Sequence, residues 1–167
     1  MLAGHVGKYS RYEIEKKYLL RFLPKDLPEK FVDIHDTYLP HSSLRLRIER
    51  APDGKIIGRK LTKKDPAPDQ GHATCIITSL YLSEGDLRAL GRLDGYELKK
   101  RRYYREDSTN RICVDVFFGK LEGLVLAEIE FLDHSSCARF QPAETSWTEV
   151  TGNPKYSGGY LATQASR

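Results

Sequence analysis

Period-two alternation dominates this chain, and it places charge rather than Thr or Ser on one face of its strands. In RYEIEKKYLL (11–20) the odd positions are Arg11, Glu13, Glu15 and Lys17, while Tyr12, Ile14 and Tyr18 lie opposite. In SLRLRIER (43–50), Arg45, Arg47 and Glu49 oppose Leu44, Leu46 and Ile48. Lys100, Arg102 and Tyr104 share a face in 96–106, and in 123–132 Glu128 and Glu130 oppose Ala127, Ile129 and Phe131. An alternation of this kind reads as half-buried antiparallel strand, and the plainest account of it is a sheet with one wet face. Two features argue for more. Same-sign charges at i and i+2 repel unless an opposite charge lies between them. The signs also segregate, with acidic pairs in the first and last strands and basic pairs in the third and sixth. A sheet closed into a barrel turns such faces inward, where carboxylates hold hard cations through oxygen and Arg and Lys hold phosphate oxygens.

Further strands are expected at 33–40, 54–64, 73–82 and 110–118. The APDG at 51–54 forms a hairpin turn, and the polar DSTN joins 96–106 to 110–118. Ser83 caps a helix over 83–93 with Leu87, Leu90 and Leu93 at helical spacing, and DHSSCARF (133–140) reads as a second, short helix. The tail after Pro142 gives no clear element, because Gly158 and Gly159 interrupt it. About eight strands with short connections make a mainly β, antiparallel fold, and 167 residues without a linker make one domain.

Composition adds exclusions. A net charge of +4 is consistent with an anionic partner but does not name one. No stretch approaches the roughly 18 apolar residues of a membrane helix, and MLAGHVGKYSRY has no apolar core of a secretory signal. Cys75, Cys113 and Cys137 lack a CxxC spacing and read as reduced thiols of a cytoplasmic protein. The five histidines are dispersed, and none is assigned to a metal.

Taken in order, these residues resemble the CYTH superfamily, the triphosphate tunnel metalloenzymes. Glu13, Glu15 and Lys17 match its ExExK signature and Arg45 with Arg47 its RxR pair. GRKLTKK resembles the lysine-bearing fourth strand. Lys60 and Lys64 share one face of it and Lys63 the other, with Lys60 favoured. ELKKRRYY resembles the KxR strand with Lys100 and Arg102, CVDVF supplies Asp115, LAEIEF supplies Glu128 and Glu130, and KYSGGYLA resembles the C-terminal segment. The match runs from about residue 12 to 162. Many members carry a second acidic pair in the strand before the middle helix. Here that strand reads ATCIITSLYL, which leaves Thr74, Thr78 or Ser79 in its place and the second metal site open.

The resemblance implies an eight-stranded antiparallel β-barrel tunnel, open at both ends, with helices packed outside. It implies binding of a triphosphate-containing small molecule with Mg²⁺ or Mn²⁺, and hydrolysis of inorganic triphosphate or a related triphosphate to pyrophosphate or diphosphate and phosphate. Lys17, Arg45, Arg47, Lys60, Lys100, Arg102 and Lys155 would cradle the phosphates. Glu13, Glu15, Asp115, Glu128 and Glu130 would hold one or two metal ions, and Lys17 or Lys100 would orient the attacking water or assist proton transfer. Lys63, Lys99 and Arg101 are expected to face solvent. Two alternatives stand beside this: a class IV-type adenylate cyclase, and a non-catalytic module binding polyphosphate or RNA. Lys8-Tyr9-Ser10-Arg11 lacks the His-Phe pair of the cyclase members. Nucleic acid is not the expected partner of the enzyme reading, no membrane is expected, and monomer and homodimer both remain open.

Overall fold

The computed structural model of the protein describes residues 7–106, 111–142 and 145–167. The expected DSTN turn lies outside the described residues. The strands are β1 (Ser10–Leu20), β2 (Phe31–Tyr38), β3 (Leu44–Arg50), β4 (Ile56–Pro66), β5 (Thr74–Tyr81), β6 (Tyr96–Glu106), β7 (Arg111–Phe117), β8 (Val125–Phe131) and β9 (Trp147–Glu149). The helices are α1 (Glu84–Leu90), α2 (His134–Arg139) and α3 (Gly158–Ser166). No helix among the described residues is long and apolar enough to cross a membrane.

Eight strands form a closed antiparallel barrel in the order β5-β4-β3-β2-β6-β7-β8-β1, and β1 returns to β5. Closure depends on β1 being long enough to change partners along one edge. Its residues Ser10 to Ile14 pair with β5, and Tyr18 to Leu20 pair with β9. The other edge of β1 runs along β8 from Ile14 to Leu19. Every barrel edge is thereby paired, which removes the exposed ladder that an open sheet of this size would present.

Register decides which side chains face in. Glu13 sits beside Cys75, and Lys17 beside Glu128. Asp36 and Lys60 flank Arg47, and Arg102 lies beside Asp115. The charged faces read from the sequence therefore point into the barrel, and the apolar core is displaced to its outer wall. Ile14, Tyr18, Val114, Ala127, Ile129 and Phe131 form that core, with Cys137 of α2 over them and Phe140 and Trp147 packed against it. Burying each such side chain contributes about 1.5–3 kcal/mol, and this replaces the core that a polar lumen cannot supply.

A second cluster joins the barrel to α3. Leu98, Phe117 and Leu126 pack against Leu161 and Ala162 of α3. The C-terminal helix thus packs on apolar, inward-facing side chains of β6, β7 and β8. Two elements, α3 and β9, fall in the tail where the sequence gives no pattern. The helix expected at 83–93 stops earlier: Ser83 caps α1 with a complete capping box, but Gly91, at φ 67°, ends it, and none of its residues is buried.

Candidate functional site

The barrel encloses a cavity of about 660 Å³. Glu13, Glu15 and Lys17 of β1, Arg45 and Arg47 of β3, Lys100 and Arg102 of β6, and Glu128 of β8 line it. Four other residues expected at the site do not line this cavity. Asp115, beside Arg102 on the inward register, is fully buried beneath Lys100 and Arg102, with which it pairs. Lys60 pairs with Glu49 at 2.8 Å and lies over the ring of Tyr81. It is Lys64, on the same face of β4, that reaches the cavity, with its Nζ 2.5 Å from Glu13 and 3.7 Å from Glu15. Glu130 turns to Arg11 at 3.0 Å, and Lys155 is exposed on the turn Pro154–Tyr156. Lys63 and Lys99 are exposed, while Arg101 stacks on Phe31 with its guanidinium 3.6 Å from the ring centroid.

Ion pairs organise the wall into interlocked groups. Arg102 donates through Nε and Nη2 to the two oxygens of Asp115, both at 2.7 Å, and also to Glu128. Lys100 donates to Asp115, and Lys17 lies 3.0 Å from Glu128 and 3.9 Å from Glu15. Arg47 donates through Nε and Nη2 to Asp36 at 2.7 and 2.8 Å. Counting the buried counter-ions, Lys17, Arg45, Arg47, Lys64, Lys100 and Arg102 face Glu13, Glu15, Asp36, Asp115 and Glu128, six cations against five anions. Several cross-strand neighbours are unlike in charge, Lys17 with Glu128, Arg47 with Asp36 and Arg102 with Asp115, and these offset like-charge neighbours such as Glu15 with Glu130 and Arg47 with Lys60.

The two lysines named for proton transfer differ in their surroundings. Burial disfavours the charged form of Lys17, but Glu128 and Glu15 outweigh it and raise its pKa above the usual lysine value. Burial lowers the pKa of Lys100, and Arg102 and Arg47 add to the effect against the opposing pull of Asp115. The carboxylates divide in the same way. Burial, with the charge of Glu128, raises Glu15. Asp115 and Glu128 are held below the ordinary carboxylate range despite their burial, Asp115 by Arg102 and Lys100 and Glu128 by Lys17, Lys100 and Arg102.

The fit to a divalent cation is limited. Among the described residues no three Asp, Glu, His or Cys side chains converge in a metal-binding group. Glu128 and Asp115 already have Lys and Arg partners. Glu13 retains capacity: its buried Oε2 makes no hydrogen bond of good geometry, although Lys64 lies close to it as an ion pair. Glu15, two residues along the same face, has no cation closer than 3.7 Å among the described residues. A Mg²⁺-sized ion needs only one or two carboxylates when phosphate oxygens and water complete its shell, so this edge of β1 fits one ion. On β5 the inward residues beside it are Cys75 and Ile77. Of the hydroxyls considered there, Ser79 bonds Thr62 at 3.0 Å, Thr78 bonds Ser10 at 2.6 Å, and Thr74 donates to the carbonyl of Gln70.

Sequence reasoning missed Asp36, Tyr38 and the glycine pair. In DIHDTY, Ile34, Asp36 and Tyr38 share a face, and a carboxylate facing the RxR pair was the signal available for Asp36. Gly158 is required by close approach: a Cβ there would lie 1.9 Å from the Tyr38 hydroxyl oxygen. Ser157 caps α3 by accepting from the amide of Tyr160, and this helix N-terminus, with Gly158 and Gly159, opens onto the cavity.

Solved structures share this architecture. Two are of the protein NE1496, one described as a hypothetical protein and the other as an inorganic triphosphatase. They are 25% and 23% identical to this chain, cover 90% of it and 97% and 93% of themselves, and each gives a TM-score of 0.56. The fold is shared. A candidate adenylate cyclase from Bacillus halodurans is also similar, at 19% identity, 78% of this chain, 86% of its own and a TM-score of 0.53. No protein-family model and no curated protein matches the sequence. Likeness at these identities establishes the fold and leaves the activity to be argued from the site.

Proposed function

We propose that this chain is a divalent-metal-dependent triphosphatase that hydrolyses inorganic triphosphate, or a related triphosphate, inside the barrel. The observation that carries the reading is the convergence of Lys17, Arg45, Arg47, Lys64, Lys100 and Arg102 on one cavity, with Glu13 and Glu15 on its wall. Phosphoryl transfer asks mainly for positioning and charge neutralisation, which such a lining supplies. The similarity of fold to an inorganic triphosphatase is in keeping with it.

In this reading the guanidinium groups of Arg45, Arg47 and Arg102 hold phosphate oxygens, and the planar fork of each suits two oxygens at once. Lys17 and Lys64 neutralise the chain of phosphates from the β1 and β4 sides. Glu13 and Glu15 would hold one Mg²⁺ or Mn²⁺, which supplies Lewis-acid polarisation of phosphate oxygens. Water is the nucleophile. Of the two candidate lysines, Lys100 is the better suited to orient that water and exchange a proton with it, since burial lowers its pKa whereas Glu128 and Glu15 raise that of Lys17.

Phosphate release from inorganic triphosphate, ATP and thiamine triphosphate, measured side by side with Mg²⁺, Mn²⁺ or EDTA, tests the proposal. Release that requires metal and favours the inorganic substrate is expected. Cyclic AMP formation from ATP without phosphate release would replace it with the cyclase reading. Binding without turnover, weakening steeply with salt, would replace it with an anion-binding module.

A further inference from the structure

Asp36 takes no part in the reaction just proposed, yet it lies fully buried on the inner face of β2. Both of its oxygens are occupied by one partner, Arg47, whose Nε and Nη2 donate at 2.7 and 2.8 Å. Paired along that edge, the guanidinium keeps its Nη1 side unspent, and Arg47 lines the cavity. Arg45 differs. Its Nε lies 3.7 Å from the nearer Asp36 oxygen and, although buried, makes no hydrogen bond, while its guanidinium lies 5.9 Å from the Tyr38 ring. One carboxylate thus faces two cavity arginines, gripping one and only attracting the other.

A guanidinium fixed before its ligand arrives loses little freedom on binding, and it holds its donors in the orientation that two phosphate oxygens need. Burial alone would not give this. A buried guanidinium without its counter-ion has no carboxylate to fix the plane of its fork. Asp36 carries negative charge in a cavity proposed for a polyanion, so its direct Coulombic effect on the ligand is unfavourable.

We propose that Asp36 is a positioning residue of the anion clamp: it fixes the Arg47 fork and leaves Arg45 as the arm that closes on phosphate. This rests on the triphosphate reading. The two contributions of Asp36 have opposite signs, so affinity separates them. If only its charge matters, Asp36→Asn tightens anion binding. If it positions Arg47, Asp36→Asn weakens binding although a negative charge has gone.

Titration calorimetry of inorganic tripolyphosphate against the full chain in EDTA reads this without needing turnover. Asp36→Asn is expected to weaken binding by about tenfold or more. Equal or tighter binding by folded Asp36→Asn would overturn the assignment. Should Asp36→Asn alone fail to fold, Arg47→Met is compared with Asp36→Asn/Arg47→Met, in which no buried charge is left unpaired at this position. The double variant should bind no more weakly than Arg47→Met, because Asp36 acts through Arg47; several-fold further weakening would overturn the proposal. A parent chain that does not bind tripolyphosphate defeats the triphosphate reading and this inference together. A parent that binds beside an Asp36→Asn variant that binds equally well defeats the inference alone.

Discussion

Replacing Asp115 by Asn separates two roles for one carboxylate. As a metal ligand awaiting its ion, it would be repelled by other carboxylates in the metal-free chain, and neutralising it would leave stability unchanged or improved. As a counter-ion, it holds the buried Lys100 and Arg102, and neutralising it would strand both. The structure favours the second role. Asp115 is wholly buried, accepts two 2.7 Å bonds from Arg102 and one from Lys100, and titrates below the ordinary range. Removing one partner of a buried ion pair costs about 3–5 kcal/mol. Asn retains one acceptor, so the lower figure applies, about 3 kcal/mol. For a chain of this size that lowers Tm by about 6–12 °C. Urea unfolding and thermal melts by circular dichroism in EDTA read the effect directly. Added tripolyphosphate should recover part of the loss by restoring negative charge beside Lys100 and Arg102. An Asp115→Asn chain as stable as its parent, or more so, would refute the counter-ion assignment.

Acid should unfold the protein through its buried ion pairs. The folded pKa of Asp36 is depressed by Arg47 and Arg45 against the cost of burial. Its contribution to stability is therefore present above the unfolded value, about 3.9, and is lost as pH falls through the folded one. Unfolding free energy measured from pH 7 downward should fall steeply below about pH 4, and Asp36→Asn should flatten that slope. Arg45→Ala should weaken tripolyphosphate binding by about tenfold or more with little loss of Tm, whereas Lys60→Ala should change it by about twofold at most, since Lys60 is committed to Glu49. Calorimetry on the two variants checks both. Gly158→Ala should cost about 1–3 kcal/mol through the clash with Tyr38, read in a thermal melt, and Tyr38→Phe should recover part of it by removing the nearest atom.

The strands were legible because alternation is a local signal that survives into the barrel wall. From β1 to β8 the expected ranges and the observed ones differ by only a few residues at each end. Which lysine of GRKLTKK reaches the cavity was not legible. Lys60 and Lys64 share one face, and only the pairing of β4 with β3 and β5 decides that Lys60 meets Glu49 at one level and Lys64 meets Glu13 at another. That Asp115 pairs with Lys100 and Arg102 was not legible either, because the contact depends on how β6 and β7 are registered. The tail escaped for a different reason. The glycines of α3 weaken its helical signal, yet Gly158 lies too close to Tyr38 to carry a Cβ. The stability of the helix comes from Leu161 and Ala162 packing on Leu98, Phe117 and Leu126, a tertiary contact with no local signature.

The most direct test of the whole account is phosphate release from inorganic triphosphate by the parent chain and by Glu13→Gln/Glu15→Gln, each with Mg²⁺ and with EDTA. Metal-dependent release by the parent, none in EDTA, and loss of turnover in the double variant while tripolyphosphate still binds in EDTA are expected. Release that persists in EDTA, or in the double variant, would contradict the account.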